Sequence, residues 1–260
     1  MGRAWIVSLG IAASSALAGP ALAFSPQTSV AIAFEAASIT PPDLERQIER
    51  WEADYRAGVL DEARDPSAAG EPLDEVVQAM VERGIGMIRT HQPFSEIVRH
   101  LGRTAYYVSY ANNPLVIGQS DPQESGYFAD FLAYVDSARP RFEPVFYGLL
   151  PRFESSGRVD DLLAETFRRG QVLYPYIGRE YRRVGGPPGR ERFDDRSTAF
   201  GVSAVAYSQA LTDVAIVLRH IWLAAGGADP RPGLPVRKGA FEAPRTSPVP
   251  LESFRRSLDR

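Results

Sequence analysis

The chain has no cysteine among its 260 residues. Disulfides and thiolate metal sites are therefore excluded, and so is a lipid anchor attached at a cysteine. Histidine is almost as scarce, with His91, His100 and His220 the only three. Zinc needs about four ligands drawn from imidazole, carboxylate and thiolate, and a cluster of several metals needs many more. Lysine is nearly absent and arginine stands in its place; with the many alanines, this reads as base composition rather than function. No large charge of either sign accumulates. The formal net charge of −3 gives no electrostatic reason to expect nucleic acid or an anionic membrane as partner. Alternating runs of strand length and internal repeats are missing too. Gly185-Gly186-Pro187-Pro188-Gly189 lacks the Gly-Lys-Ser/Thr ending and the preceding strand of a phosphate loop, and reads as a linker between helices.

What is present begins with an export signal. Arg3 supplies a basic start, residues 4–19 form a short uncharged apolar run, and Ala21-Leu22-Ala23 is a small-x-small cleavage site. Cleavage after Ala23 is expected, leaving Phe24 as the mature N-terminus of a periplasmic or secreted protein. No segment after it reads as long and apolar enough to span a bilayer.

The remainder reads as helix. Residues 30–38 are apolar and stop before Pro41-Pro42. Residues 43–57 carry Leu44, Ile48, Trp51 and Tyr55 at helical spacing. A loop is expected over 58–72, then helices over 73–90, 94–111, 126–135, 159–183 and 197–225. Pro175 should kink the long helix over 159–183. The expectation is an all-α, single-domain protein of roughly seven helices over 24–227. A proline-rich, loosely ordered tail follows over 228–260.

Residues 101–116 carry the chemistry, or its loss. They run Leu101-Gly102, then Tyr106-Tyr107, Tyr110, Pro114 and Val116. This frame resembles the central helix of the zinc-dependent phospholipase C and single-strand nuclease superfamily, Leu-Gly-x-x-x-His-Tyr-x-x-Asp-x-x-x-Pro-x-His. In that superfamily the mature chain starts Trp-Gly-x-x-x-His, and Phe24 and Ser29 stand at the corresponding places. A His-x-x-x-Glu pair of the superfamily falls near Phe128 and Leu132, after Gly126-Tyr127. Asp61 or Asp65 is the candidate for an early-loop aspartate, and His91 for a histidine ahead of the central helix. The resemblance spans about 24–150 and is carried chiefly by 94–135. It implies a helical phospholipase C-like fold. It also implies that the usual zinc ligands are replaced at Ser29, Tyr106, Tyr110, Val116 and Phe128.

Two readings of function follow. In the first, the chain is a non-catalytic relative, without a bound metal, that takes up a small molecule, lipid headgroup or protein. Its remodelled pocket would draw on Phe24, Ser29, Tyr106, Tyr110, Asn113, Phe128 and Asp130. In the second, a reduced zinc site survives on the Phe24 amine, Asp61 or Asp65 and His91, and the chain cleaves phosphodiesters or phospholipids. The tyrosines can also be read as rings that fill the vacated volume. Asn112-Asn113-Pro114 reads equally as turn chemistry. His100 reads as a surface or boundary residue, and no histidine has a carboxylate at triad spacing. Asp213 lies in an otherwise apolar helix and should be paired, with Arg103 and Arg196 as candidate partners.

Overall fold

The computed structural model describes residues 24–66, 71–118 and 120–231. The export signal and most of the expected tail lie outside these residues. Ten α-helices and no β-strand occur among the described residues, three more helices than expected.

Helix α1 spans Pro26–Ala37. Ser25 caps it by accepting the Thr28 N–H at 3.1 Å, and Pro26 supplies the fixed φ favoured in a first turn. Helices α2 (Pro42–Arg50) and α3 (Glu52–Arg64) replace the single helix expected over 43–57. The break falls at Trp51, whose φ of −114° and ψ of 36° leave the helical region. Helical spacing persists across it, because Leu44 and Ile48 on one side and Tyr55 and Val59 on the other face the same core. The expected loop from residue 58 is a correction of the same kind. Helix α3 continues for two more turns because Val59, Glu62 and Ala63 extend the buried stripe begun by Tyr55.

Helices α4 (Leu73–Arg89) and α5 (Phe94–Ala111) follow. Between them His91 takes a positive φ of 55°. Helix α5 is the centre of the bundle and crosses α3 at backbone contact. A Cβ added to Gly58 would lie 2.0 Å from the Arg99 carbonyl oxygen, and one on Gly102 would lie 2.2 Å from that of Tyr55. The Gly102 of the Leu-Gly pair thus has a packing reason to be glycine.

A short α6 (Pro114–Gly118), absent from the sequence reading, lies on α9 beside Gly170. Helix α7 spans Glu124–Ala138, α8 Pro151–Ser156, α9 Val159–Val184 and α10 Thr198–Ala224. Helix α9 runs its full length as one helix through Pro175. Gly185 stops it at a φ of 85°. Helix α10 is long and apolar enough by length and composition to cross a membrane, contrary to the sequence reading. Most of that surface is buried inside the bundle, against α1, α4, α5 and α9. Residues past 227 still touch the helices. Asp229 is nearly buried and accepts Arg219 Nε at 3.0 Å, and Arg231 Nη2 donates to the Ile39 carbonyl at 2.9 Å.

Candidate functional site

The residues expected to form the remodelled pocket fall into two groups. Phe24, Ser29, Tyr106 and Asn113 are buried, none more than 2% exposed. Tyr110, Phe128 and Asp130 are half-buried. Helix α5 presents Tyr106 to the interior, where its ring stands edge-on to Tyr107 at 5.3 Å and tilted to Tyr110 at 6.1 Å. Tyr107 donates to Glu62 Oε2 at 2.8 Å, which ties α5 to α3. Burial pushes the Tyr106 hydroxyl well above the usual phenol range and raises that of Tyr110, so both stay protonated at neutral pH.

Asn113 uses its side-chain oxygen to accept the Leu115 N–H at 2.9 Å, a turn contact at the head of α6. Phe128 packs on the core. Asp130 accepts from the Tyr181 hydroxyl at 2.6 Å and from the Arg190 backbone N–H at 3.2 Å. It pins α7 to α9 and to the 3-10 turn Gly189–Glu191.

The residues proposed for a rebuilt metal site stand apart in their surroundings. Phe24 is buried, and Asp61 is engaged by the Arg99 guanidinium on α5. Asp65 is the exposed residue that ends α3, and His91 is exposed at the turn before α5. Among the described residues, no three His, Asp or Glu side chains come together in a way that could hold a metal.

Two corrections concern single residues. His100 is 5% exposed rather than a boundary residue, and its Nε2 lies 2.8 Å from the Met80 carbonyl oxygen. Burial lowers its pKa, opposed by that backbone contact and reinforced by Arg83 and Arg103. Asp213 is fully buried, and its partner is Arg169 of α9, not Arg103 or Arg196. Its Oδ2 accepts from Arg169 Nη2, from Thr166 Oγ1 at 2.8 Å and from Asn112 Nδ2 at 3.1 Å. One carboxylate oxygen thereby joins α5, α9 and α10 in the middle of the protein. Periodicity marked Asp213 as anomalous but could not select one arginine from the many.

Two clefts lie away from these residues. One cleft of about 560 Å³ is bounded by Tyr127, Tyr181, Arg182 and the Gly185-Gly186-Pro187 loop. Tyr127 and Tyr181 stack there at 4.6 Å, nearly parallel. Their hydroxyls donate to Asp121 and Asp130, and Arg182 donates to Asp121 at 2.6 Å. Burial, and then the neighbouring carboxylates, hold both phenols in the protonated form. The polar groups of this cleft are thus committed to one another.

A second cleft of about 700 Å³ runs between α1 and α3. Val30 and Phe34 of α1 and Leu60 of α3 give it an apolar wall, and Arg56, Arg64 and Arg139 border it. Neither cleft is bounded by Phe24, Ser29, Tyr106, Tyr110, Asn113, Phe128 or Asp130. The second cleft has a signal in the sequence. Residues 56, 60 and 64 share one stripe of α3, and 30 and 34 one stripe of α1. The sequence matches no family model, and comparison with curated proteins finds no match.

Proposed function

We propose that the chain is an exported, non-catalytic relative of the zinc-dependent phospholipase C superfamily that works by binding a small molecule. The reading rests above all on Tyr106. It stands where the resemblance puts a metal-binding histidine, yet its ring is buried against Tyr107 and its hydroxyl is held protonated by burial. A neutral phenol is a poor zinc ligand. Val116, Phe128 and Leu132 bring no ligand atom to the other positions of the frame. Uptake of a small molecule then falls to open clefts. Volumes of about 560 and 700 Å³ lie within the range of roughly 300–1,000 Å³ usual for ligand pockets.

The test is elemental mass spectrometry of the signal-cleaved protein after exposure to zinc and dialysis, with phospholipid and phosphodiester hydrolysis assayed in parallel. The expected result is less than one zinc per chain and no zinc-dependent turnover. Turnover that appears with zinc and is lost on replacing Asp61 or His91 would overturn the reading in favour of a reduced hydrolase site.

A further inference from the structure

The groove between α1 and α3 combines two features that belong to one ligand chemistry. Its wall is apolar, made by Val30, Phe34 and Leu60. Its border carries three guanidinium groups and no carboxylate. Arg56 is held in place by its own surroundings, with its guanidinium 4.8 Å over the Phe34 ring and Nη2 donating to Glu52 at 2.8 Å. Arg64 follows two turns later on the same stripe, with Leu60 between them. At the other side Arg139 is half-buried, and its Nε has no hydrogen-bond partner among the described residues. Glu35 and the Tyr207 hydroxyl lie near its inner end. Of the acids around it, Glu52 engages Arg56, Asp136 accepts from the Ser25 and Thr28 hydroxyls, and Glu35 lies with Arg139 at Tyr207.

We propose that this groove binds a free single-chain alkyl carboxylate, with the alkyl chain on Val30, Phe34 and Leu60 and the carboxylate between Arg56 and Arg64. A guanidinium fork matches a carboxylate in two parallel hydrogen bonds, and apolar wall area favours a chain over a small acid. The groove is concave, which suits a chain taken up from solution. This inference rests on the binding reading above, to which it adds a location and a ligand class.

Isothermal titration of the signal-cleaved protein with decanoate below its micelle concentration tests it. Acetate and decyltrimethylammonium serve as controls for the chain and for the charge. Decanoate is expected to bind and the two controls are not. The R56Q/R64Q variant changes exposed side chains only, and unchanged circular dichroism and melting temperature establish that it folds. Its decanoate affinity is expected to fall about tenfold or more, since each lost charge-assisted pair is worth roughly that factor. Leu60→Asp, which places a carboxylate on the wall, is expected to produce a comparable loss. No decanoate binding, equal binding of decyltrimethylammonium, or full affinity in R56Q/R64Q overturns the groove assignment. Those outcomes leave the non-catalytic reading untouched, because only zinc-dependent hydrolysis overturns that.

Discussion

At the scale of single residues, the most consequential side chain is Asp213. It is fully buried, and the guanidinium of Arg169, the Thr166 hydroxyl and the Asn112 amide all converge on one of its oxygens. Burying two charges is expensive, and the pair repays that cost only while both members are present. Asp213→Ala leaves Arg169 charged and alone in the interior. We expect a loss of about 3–5 kcal/mol in urea unfolding for this variant, and a similar loss for Arg169→Ala. The double replacement R169M/D213L should recover most of it, because no unpaired charge remains. A double variant as unstable as the sum of the two singles would show that the ion pair is not what couples these positions. Sequence reasoning identified the acid by its apolar surroundings. The partner came from α9, 44 residues away, where neither spacing nor composition singles out Arg169.

At the scale of helices, the crossing of α3 and α5 organises the bundle. Gly58 and Gly102 let the two backbones touch, and the shortest approaches are to carbonyl oxygens, which cannot swing aside as a side chain can. Gly102→Ala must therefore push the helices apart. Overpacking of this kind costs about 1–3 kcal/mol, and more where the obstacle is backbone. The expected outcome is a lowered melting temperature for G102A and for G58A. Gly126→Ala, at a helical glycine with open space around it, should instead stabilise the protein by about 0.4–1 kcal/mol. Stability unaffected by G102A would mean that the crossing is looser than this geometry.

These same glycines differ in how legible they are in the sequence. Gly102 belongs to a motif within a stretch of helical spacing. Gly58 opens a stretch, 58–72, whose richness in Asp, Pro, Ser and Gly reads as a loop. Its use as a contact point depends on Arg99, which lies 41 residues later.

At the scale of the whole molecule, two buried or half-buried histidines link stability to pH. Burial lowers the pKa of His100 below its usual 6.5, and it lowers that of His220, whose ring lies 4.9 Å from Phe153. Glu154 opposes the His220 shift and Arg219 reinforces it. A histidine with a depressed folded pKa takes up its proton more readily in the unfolded chain. Its stabilisation is thus complete above 6.5 and is lost as pH falls from there through the folded value. Unfolding free energy should decline below about pH 6.5, and the H100Q/H220Q variant should show a shallower decline. A profile equally steep in both proteins would assign the effect to carboxylates instead.

Helical periodicity, the absence of alternating runs and the proline and glycine breaks between apolar stretches determined by themselves that this chain is all-α, with most of its long helices near their observed positions. These signals are local, set within a few turns of chain. The break at Trp51, the extension of α3 past Gly58, the short α6 and α8, the partner of Asp213 and the burial of Tyr106 and His100 were decided by tertiary structure. So was the cleft between α1 and α3, because it exists only where two helices, each with an ordinary apolar stripe, are laid side by side. A sequence states which faces are apolar and which residues carry charge. Which faces meet, and which charges are left around a gap between them, is settled by packing between segments far apart along the chain.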